Sequence, residues 1–298
     1  MSGEGEVGRL PARLRGLGLR PQRHRGQHFL VSEAILQAIV AAADLGPDDW
    51  VVEVGPGPGN LTRLLAQAAG RVIAVEVDPR LYEVLRQDLA DCGRVIPVLA
   101  DARRLTPSQM LQAGGDPTGR HPYKVVANLP YYLTSPLLRH FLEAEVPPDL
   151  LVVTVQWEVA QRLAARPPQM SLLAVAVQFY GEPEVVRKVP AGAFYPRPKV
   201  DSAVVRIRVR PPEARPHPDP EAFFRVVSGG FGQRRKQLRN ALAQGLGLSS
   251  EEVARALRTA GVEPGRRAES LSLEEWARVT DALSQRNDEG DGQVLRVR

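Results

Sequence analysis

The chain has 298 residues, of which 43% are hydrophobic and 24% are charged, a composition typical of a globular protein with one or two domains. Its formal net charge of +5 favours a polyanionic partner without identifying one. Cys92 is the only cysteine, which excludes an intrachain disulfide, and neither a signal peptide nor an apolar run of membrane-spanning length is found. We therefore expect a soluble, cytoplasmic protein with no membrane partner.

The first 25 residues are rich in glycine and arginine and show neither a helical nor a strand period. They predict a basic, flexible tail, and the alternative is a basic arm that contacts phosphates. The next segment places Ser32 at the start of a helix that ends near Ala43, where a serine hydroxyl can cap the first turn.

From Trp50 onward, short apolar strands alternate with helices. This order predicts an α/β fold with a parallel sheet covered by helices on both faces. The predicted strands are residues 51–54, 72–75, 95–99, 125–127 and 150–155, followed by 184–189 and 203–209. The predicted helices of this region are residues 61–69, 81–89, one that ends at Leu163, and 172–180.

A proline-rich stretch at residues 211–220 separates the predicted α/β domain, residues 26–210, from a helical region. We take this stretch as a linker to a small all-helical carboxyl-terminal domain, residues 221–286, which is followed by a flexible tail, residues 287–298. The predicted helices of this domain are residues 221–229, 234–246, 250–260 and 273–283, and Ser249 and Ser272 are placed to cap the last two.

A glycine-rich loop joins the first strand of the predicted sheet to the helix that follows it. Gly55, Gly57 and Gly59 alternate with Pro56 and Pro58, which differs from the Gly-x-Gly-x-x-Gly spacing of dinucleotide-binding folds. The prolines remove backbone N–H donors that a pyrophosphate would use. The loop therefore favours a small nucleoside ligand without phosphates, and the alternative is a tight turn that binds no ligand.

Acidic side chains follow the next two strands of the predicted sheet. Glu76 ends the second strand and Asp101 follows the third, where the carboxyl ends of parallel strands form a ligand crevice. A carboxylate at the second strand end can accept hydrogen bonds from both hydroxyls of a ribose. A carboxylate at the end of the third strand can accept a hydrogen bond from an adenine amino group.

The fourth strand ends in Asn128-Leu129-Pro130-Tyr131, which combines an amide, a rigid turn and an aromatic ring. Such a set suits a site that holds a planar amine between hydrogen-bond acceptors and a π surface. The alternative is a strand-end turn at Asn128 and a core aromatic at Tyr131. We predict no metal site, because no cysteine and histidine constellation points to one.

These strand ends resemble those of class I S-adenosylmethionine methyltransferases, and the Asn128–Tyr131 motif resembles that of members that methylate exocyclic amines. Residues 26–30, 194–206 and 233–240 are similar to the ribosomal RNA adenine dimethyltransferase family, a resemblance that covers residues 20–285. Residues 233–240 and 267–269 of the carboxyl-terminal domain resemble the bacterial small-subunit enzyme, whereas the macrolide-resistance methyltransferases differ in this region. The resemblance implies a Rossmann-like catalytic domain that dimethylates two adjacent adenosines near the 3′ end of small-subunit (16S) rRNA.

The resemblance also implies roles for individual residues, with S-adenosylmethionine as the methyl donor. Phe194 is expected to close over the base opposite Tyr131, and a core position is its alternative. The family usually has asparagine where this chain has His28, whose imidazole can still donate one hydrogen bond. The implied cofactor-binding residues are Gln27, His28, Leu30, Gly55, Gly57, Gly59, Glu76, Asp101 and Asn128, and the implied catalytic residues are Asn128, Leu129, Pro130, Tyr131 and Phe194.

The predicted helix over residues 234–246 begins with a basic cluster, Arg234, Arg235, Lys236 and Arg239. We expect these side chains to bind rRNA phosphates, and the alternative is a solvated basic face. The resemblance implies a monomer that acts on small-subunit rRNA within a pre-ribosomal particle. Two other functions stay open: a large-subunit rRNA methyltransferase of the macrolide-resistance type and an assembly factor that binds RNA without catalysis.

Overall fold

The computed structural model describes residues 14, 16, 19–22, 26–233 and 235–289, so most of the predicted basic tail lies outside the described residues. The chain forms two compact units. The first contains the described residues up to Gln161 together with Gly181–Val209, and the second contains Arg162–Tyr180 and the described residues from Arg210 onward. Across these described residues, no helix is both long and apolar enough to cross a membrane.

A seven-stranded sheet and a two-stranded ribbon organise the first unit. In chain order the strands are β1 Phe29–Leu30, β2 Trp50–Val54, β3 Arg71–Glu76, β4 Val95–Leu99, β5 Tyr123–Asn128, β6 Leu150–Gln156, β7 Gly181–Val189, β8 Phe194–Tyr195 and β9 Ser202–Val209. The sheet has the order β4-β3-β2-β5-β6-β9-β7, while β1 and β8 form the antiparallel ribbon.

The sheet confirms the predicted α/β fold. Strands β2 to β6 are parallel, whereas β9 runs antiparallel to both β6 and β7. The chain builds β2, β3 and β4 outward in one direction and then returns to place β5 on the other side of β2. A crevice opens at such a reversal, outside the carboxyl ends of the strands, so the topology places a ligand site between the ends of β2 and β5.

The helices of this part of the chain are α1 Glu33–Ala43, α2 Asn60–Ala68, α3 Pro79–Asp88, α4 Pro107–Ala113, α5 Thr134–Leu142 and α6 Trp157–Leu163. Ser32 precedes α1 as predicted, but its side chain makes no capping bond. The sequence analysis missed α4 and α5. A signal for α4 was present, since Thr106 and Gln109 form a reciprocal capping box at its start.

The second unit is helical, with α7 Leu172–Tyr180, α8 Pro220–Phe231, α9 Leu238–Leu246, α10 Ser250–Thr259 and α11 Leu273–Glu289. The predicted boundary at residues 211–220 is corrected here, because α7 belongs to this unit and not to the sheet domain. Phe179 of α7 packs against Phe223 and Phe224 of α8, with ring centroids 4.7 and 5.0 Å apart. Burial of these rings places α7 in the helical unit, although the strands β7, β8 and β9 follow it in the chain.

Four helix ends bear on the predictions for this unit. The capping boxes at Ser249 and Ser272 are confirmed. Helix α11 continues to Glu289, so residues 287–289 of the predicted flexible tail are helical, and the rest of that tail lies outside the described residues. Helix α9 begins at Leu238 and not at residue 234, because the Leu238 amide donates to the carbonyl oxygen of Arg266 at 2.7 Å and Gln237 is extended.

Candidate active site

A cleft of ≈ 330 Å³, open to solvent, lies at the carboxyl ends of β2 and β5. It occupies the position that the strand order favours for a ligand. Three of the predicted cofactor-binding residues, Leu30, Gly55 and Asn128, line it. The other lining residues are Phe29, Leu36, Glu53, Pro56, Pro58, Asn60 and Leu61. We call the ends of β2, β3 and β4 the cofactor half of this edge, and residues 128–131 at the end of β5 with Ser202 the acceptor half.

The glycine loop requires residues without side chains at two points. Gly57 has a φ of 58°, and a Cβ there would lie 2.9 Å from the ring of Phe29. Gly55 has a φ of 68°, and no atom lies within 4 Å of the place where its Cβ would stand. Gly57 therefore lets the chain pack tightly against Phe29, whereas Gly55 leaves open space where a ligand can approach the backbone.

Glu76 holds the glycine loop to the end of β3. Its side chain is 4% exposed, and its Oε2 accepts from the Gly57 amide at 3.0 Å. Its Oε1 accepts from the amides of Val77 and Asp78 at 2.9 and 2.8 Å. Burial raises the pKa of Glu76, whereas the three amide donors favour its charged form. The carboxylate that was predicted to bind a ribose therefore also braces the loop.

Asp101 is paired with a neighbouring arginine. Arg103 donates from Nε and from Nη2 to its two carboxylate oxygens, at 3.0 and 2.6 Å. This hydrogen-bonded guanidinium holds the pKa of Asp101 below its usual value. Asp101 is thus charged at neutral pH, and an adenine amino group would share oxygens that already accept from Arg103.

Three features of the cofactor half were missed by the sequence analysis. Glu53 on β2 is only 2% exposed, lines the cleft, and has an Oε2 with no hydrogen-bond partner among the described residues. Burial raises its pKa to about 8. Its signal was an acid inside an otherwise apolar strand. Val77 and Leu99 are exposed apolar side chains at the ends of β3 and β4, and nothing in the sequence distinguished them.

The acceptor half is assembled by contacts between distant parts of the chain. Nδ2 of Asn128 donates to the backbone oxygen of His28 at 2.8 Å, which fixes the orientation of the amide. The Tyr131 hydroxyl bonds Oγ of Ser202 at 2.8 Å, and burial raises the pKa of Tyr131. The backbone of Leu129 and Pro130 between them joins the strand to a short 3₁₀ turn over Tyr131–Leu133. The predicted amide, turn and ring are therefore brought together.

His28 links the amino-terminal segment to the loop after β8. Its Nδ1 lies 2.6 Å from the backbone oxygen of Pro196, and because a carbonyl oxygen only accepts, Nδ1 carries the proton. Its ring stacks with that of Tyr131, with centroids 5.8 Å apart. Gln27 bonds outside the cleft, accepting from the Gln22 amide at 2.7 Å and donating to Asp78 at 3.4 Å.

The structure differs from the expected role of Phe194. This side chain is 3% exposed and belongs to the apolar core of the first unit, and its backbone pairs with Leu30. It presents almost no surface to a base, which favours the core alternative. The physical reason is the β1–β8 ribbon, which turns the ring inward.

The predicted basic cluster lies in the second unit. Arg234 is outside the described residues. Of the other three, Arg239 lies in α9, whereas the exposed Arg235 and Lys236 precede it. Lys236 donates to the Gln244 side chain at 3.0 Å. Among the described residues, no group of three or more histidine, cysteine, aspartate or glutamate side chains could hold a metal ion.

Comparison with known proteins agrees with this geometry. The chain is 47% identical over 264 residues to ribosomal RNA small subunit methyltransferase A of Dehalococcoides mccartyi, covering 88% of each chain. It is 46% identical to the protein of that name from Moorella thermoacetica, covering 93% of this chain and 97% of the relative.

Two solved structures share its fold. The 23S rRNA methyltransferase ErmE has a TM-score of 0.68 and 32% identity, over 86% of this chain and all of the other. A dimethyladenosine transferase from Plasmodium falciparum has a TM-score of 0.73 and 22% identity, over 88% of this chain and 98% of the other. The family described as ribosomal RNA adenine dimethylase matches residues 19–285. The chain therefore belongs to the ribosomal RNA adenine dimethylase family.

Proposed function

We propose that the protein transfers methyl groups from S-adenosylmethionine to the N6 amines of two adjacent adenosines near the 3′ end of small-subunit (16S) rRNA, giving N6,N6-dimethyladenosine. The observation that carries this proposal is the orientation of the Asn128 amide. Its Nδ2 is committed to the backbone oxygen of His28, so its Oδ1 is left to accept a hydrogen from a substrate amine at the edge of the cleft.

The chemistry of the cofactor half fits S-adenosylmethionine, which when bound supplies a methyl group carried on a sulfonium. Glu53 has a buried carboxyl oxygen without a hydrogen-bond partner, which a polar group of the ligand would satisfy, and the space beside Gly55 admits the ligand to the backbone. Glu76 and Asp101 would accept from the ribose and the adenine amino group. The remaining proposed cofactor-binding residues are Gln27, His28, Leu30, Gly57, Gly59 and Asn128.

The residues of the acceptor half can activate the adenine N6 amine, which is a weak nucleophile. The lone pair of an adenine amino group is delocalised into the ring and must be localised before it can react. Acceptance of its two hydrogens by Asn128 Oδ1 and the Leu129 backbone oxygen favours a pyramidal nitrogen, and Pro130 stiffens the turn that presents them. Stacking on Tyr131 is worth about 1–3 kcal/mol per base. Phe194 supports this side from the core, and the released proton passes to solvent.

The small subunit is favoured as substrate by relatives at 41–47% identity that are named small subunit methyltransferase A. A large-subunit activity is the second candidate, because the ErmE structure matches at 32% identity. We propose a cytoplasmic monomer that acts on rRNA within an assembling particle. The residues proposed to contact phosphates in the second unit are Arg234, Arg235, Lys236 and Arg239.

The deciding experiment compares rRNA from cells with and without this protein by mass spectrometry. We expect two adjacent N6,N6-dimethyladenosines near the 3′ end of small-subunit rRNA to disappear and to return on complementation. The purified protein should also methylate immature small subunits and leave large subunits unmodified. Loss of a large-subunit modification, with small-subunit rRNA unchanged, would overturn the assignment in favour of the second candidate.

A further inference from the structure

The loop between β8 and β9, residues 196–201, carries two exposed cations. Arg197 and Lys199 both point into solvent, and in the part of the chain that the structure describes neither forms an ion pair with a carboxylate. The one acid of the loop, Asp201, is instead neutralised by Lys188, whose Nζ lies 3.2 Å from its Oδ2. Together with the Ala191 amide and Lys188, the charge of Arg197 lowers the pKa of Asp201, so the loop carries two exposed cations and one acid that Lys188 already pairs.

Both ends of this loop are tied to the acceptor half of the site. The backbone oxygen of Pro196 accepts from His28, whose own carbonyl oxygen holds Asn128. Ser202, which follows the loop, bonds the Tyr131 hydroxyl at 2.8 Å. Lys199 is three residues from Ser202, so their Cα atoms are separated by at most about 11 Å.

The loop is also held in shape. Asp201 accepts from the Ala191 amide at 3.0 Å through Oδ1, and its backbone oxygen accepts from the Trp157 amide at 3.0 Å. Pro196 and Pro198 flank Arg197 and fix their own φ angles, which lowers the entropy that the loop would lose on binding. Arg197 and Lys199 are thus presented by a conformationally restrained loop.

The acids of the cofactor half offer a phosphate no partner. Asp101 is a carboxylate already paired with Arg103, and burial raises the pKa values of Glu53 and Glu76. Arg197 and Lys199 stand beside the acceptor half. A base that reaches Asn128 and Tyr131 belongs to a strand whose phosphates must lie outside the pocket, and the basic loop is the favourable place for them.

We propose that Arg197 and Lys199 bind phosphates of the single-stranded RNA that flanks the target adenosine. The inference rests on the proposed function, since it needs an RNA substrate at the acceptor half. It adds a phosphate-binding rim, formed by Arg197 and Lys199, to the first unit. The phosphate contacts predicted from the sequence lie instead in the second unit and, as an alternative, in the amino-terminal segment. Neutral contacts to bases or to a ribosomal protein are the competing explanations for any effect of these residues.

The test measures binding of the full-length protein to a single-stranded RNA containing two adjacent adenosines, as a function of salt. Each phosphate contact to a single strand contributes about 0.7 to the slope of log K against log salt. Arg197→Ala and Lys199→Ala should each lower that slope by about 0.7. The double variant should lower it by about 1.4, so that the loss of affinity between 50 and 200 mM salt shrinks roughly sevenfold.

Arg94→Ala is the matched control, because Arg94 is exposed and immediately precedes β4 at the opposite, amino-terminal edge of the sheet. It should leave the slope unchanged. Lys199→Arg should also keep the wild-type slope, since it keeps the charge. The double variant should raise the KM for immature small subunits while the Kd for S-adenosylmethionine stays at the wild-type value.

The outcomes separate this inference from the function on which it rests. If wild-type protein methylates small-subunit rRNA but the double variant has the wild-type salt slope, the proposed phosphate contacts are wrong and the proposed methyltransferase function stands. If binding weakens without a change in slope, the contacts are not to phosphates and the inference also fails. If wild-type protein does not methylate small-subunit rRNA, the function itself is wrong.

Discussion

The two halves of the sheet edge are built by different kinds of contact. On the cofactor half, Glu76 accepts from Val77, Asp78 and Gly57, and Asp101 accepts from Arg103, so the acids are held by residues no more than 19 positions away. On the acceptor half, Asn128 is held by a residue 100 positions distant and Tyr131 by one 71 positions distant. The first half is thus a local structure, and the second forms only when the whole unit has folded.

This difference indicates which half of the site depends on the placement of distant segments of the chain. A carboxylate that braces its own turn keeps its position while neighbouring segments move. An amide held by the backbone of another segment is aligned only as well as that segment is placed. We therefore expect substitutions on the cofactor half to change ligand affinity and stability, whereas substitutions on the acceptor half should change the rate of transfer.

The largest effect on activity is expected for Asn128→Ala, which removes the acceptor for the substrate amine. Deleting one preorganised polar group that acts in a transition state costs about 10²–10³-fold in kcat. Single-turnover methylation of immature small subunits would measure it. Asn60→Ala is the matched variant, because Asn60 also lines the cleft and also donates Nδ2 to a backbone oxygen, that of Leu30 at 3.0 Å.

A hydrogen bond between an amide and a carbonyl contributes about 0.5–1.5 kcal/mol net, so Asn60→Ala should lose no more than about tenfold in kcat/KM. RNA binding by Asn128→Ala should be retained. A fully active Asn128→Ala protein would overturn the mechanism. Equal losses in both variants would remove the distinction between the two halves.

The sequence predicted the parts of the molecule that depend on local pattern. Apolar strands, the glycine loop and the acids at the strand ends all follow from short segments, and the parallel sheet confirms them. The contact between Asn128 and His28 could not be predicted, since no pattern links residues so far apart. The inward position of Phe194 and the start of α9 at Leu238 depend likewise on tertiary contacts.

Glu53 was overlooked for a different reason. Its strand is predicted from apolar content and the loop that follows from glycine spacing, and an acid within the strand contributes to neither pattern. Its burial shows why this acid matters, because the cost of removing a carboxylate from water sets its chemistry apart from that of a surface acid. Its signal is physical and not one of spacing.

The largest effect on stability is expected for Glu53→Gln. The pKa of Glu53 is raised from 4.5 to about 8 in the folded chain by burial. The neutral form is therefore favoured on folding, and the stability it provides is complete below pH 4.5 and is lost as the pH rises to about 8. Chemical denaturation across this window should show wild type losing on the order of 5 kcal/mol relative to Glu53→Gln, because each unit of pKa shift corresponds to about 1.36 kcal/mol.

Above pH 8 the difference between the two proteins should stay constant, since the carboxyl is then ionised in both states. Glu83→Gln provides a control, because Glu83 is an exposed acid paired with Arg86 on α3. It should not reproduce the slope between pH 4.5 and 8. A wild-type curve parallel to that of Glu53→Gln throughout would show that Glu53 is ionised in the folded protein.

A smaller effect is expected from the Tyr131 hydroxyl than from its ring. Tyr131→Ala should lose the stacking of the base, about 1–3 kcal/mol, measured as the change in kcat/KM for RNA. Tyr131→Phe keeps the ring and loses only the bond to Ser202, about 1 kcal/mol. A double-mutant cycle with Ser202→Ala should show that the two hydroxyls are coupled. Additive losses would mean that the hydroxyl bond does not position the ring.

The smallest effect is expected at His28, where the chain departs from the asparagine usual in its family. The His28 side chain donates to the backbone oxygen of Pro196, while its own backbone oxygen holds Asn128. His28→Asn keeps a side-chain donor, so kcat should stay within about threefold of wild type, whereas His28→Ala removes the donor at a net cost of about 1 kcal/mol. Steady-state kinetics on immature subunits would separate the two. Because the backbone contact to Asn128 survives both substitutions, a loss in His28→Ala as large as that in Asn128→Ala would mean that the imidazole itself, and not the main chain, aligns the amide.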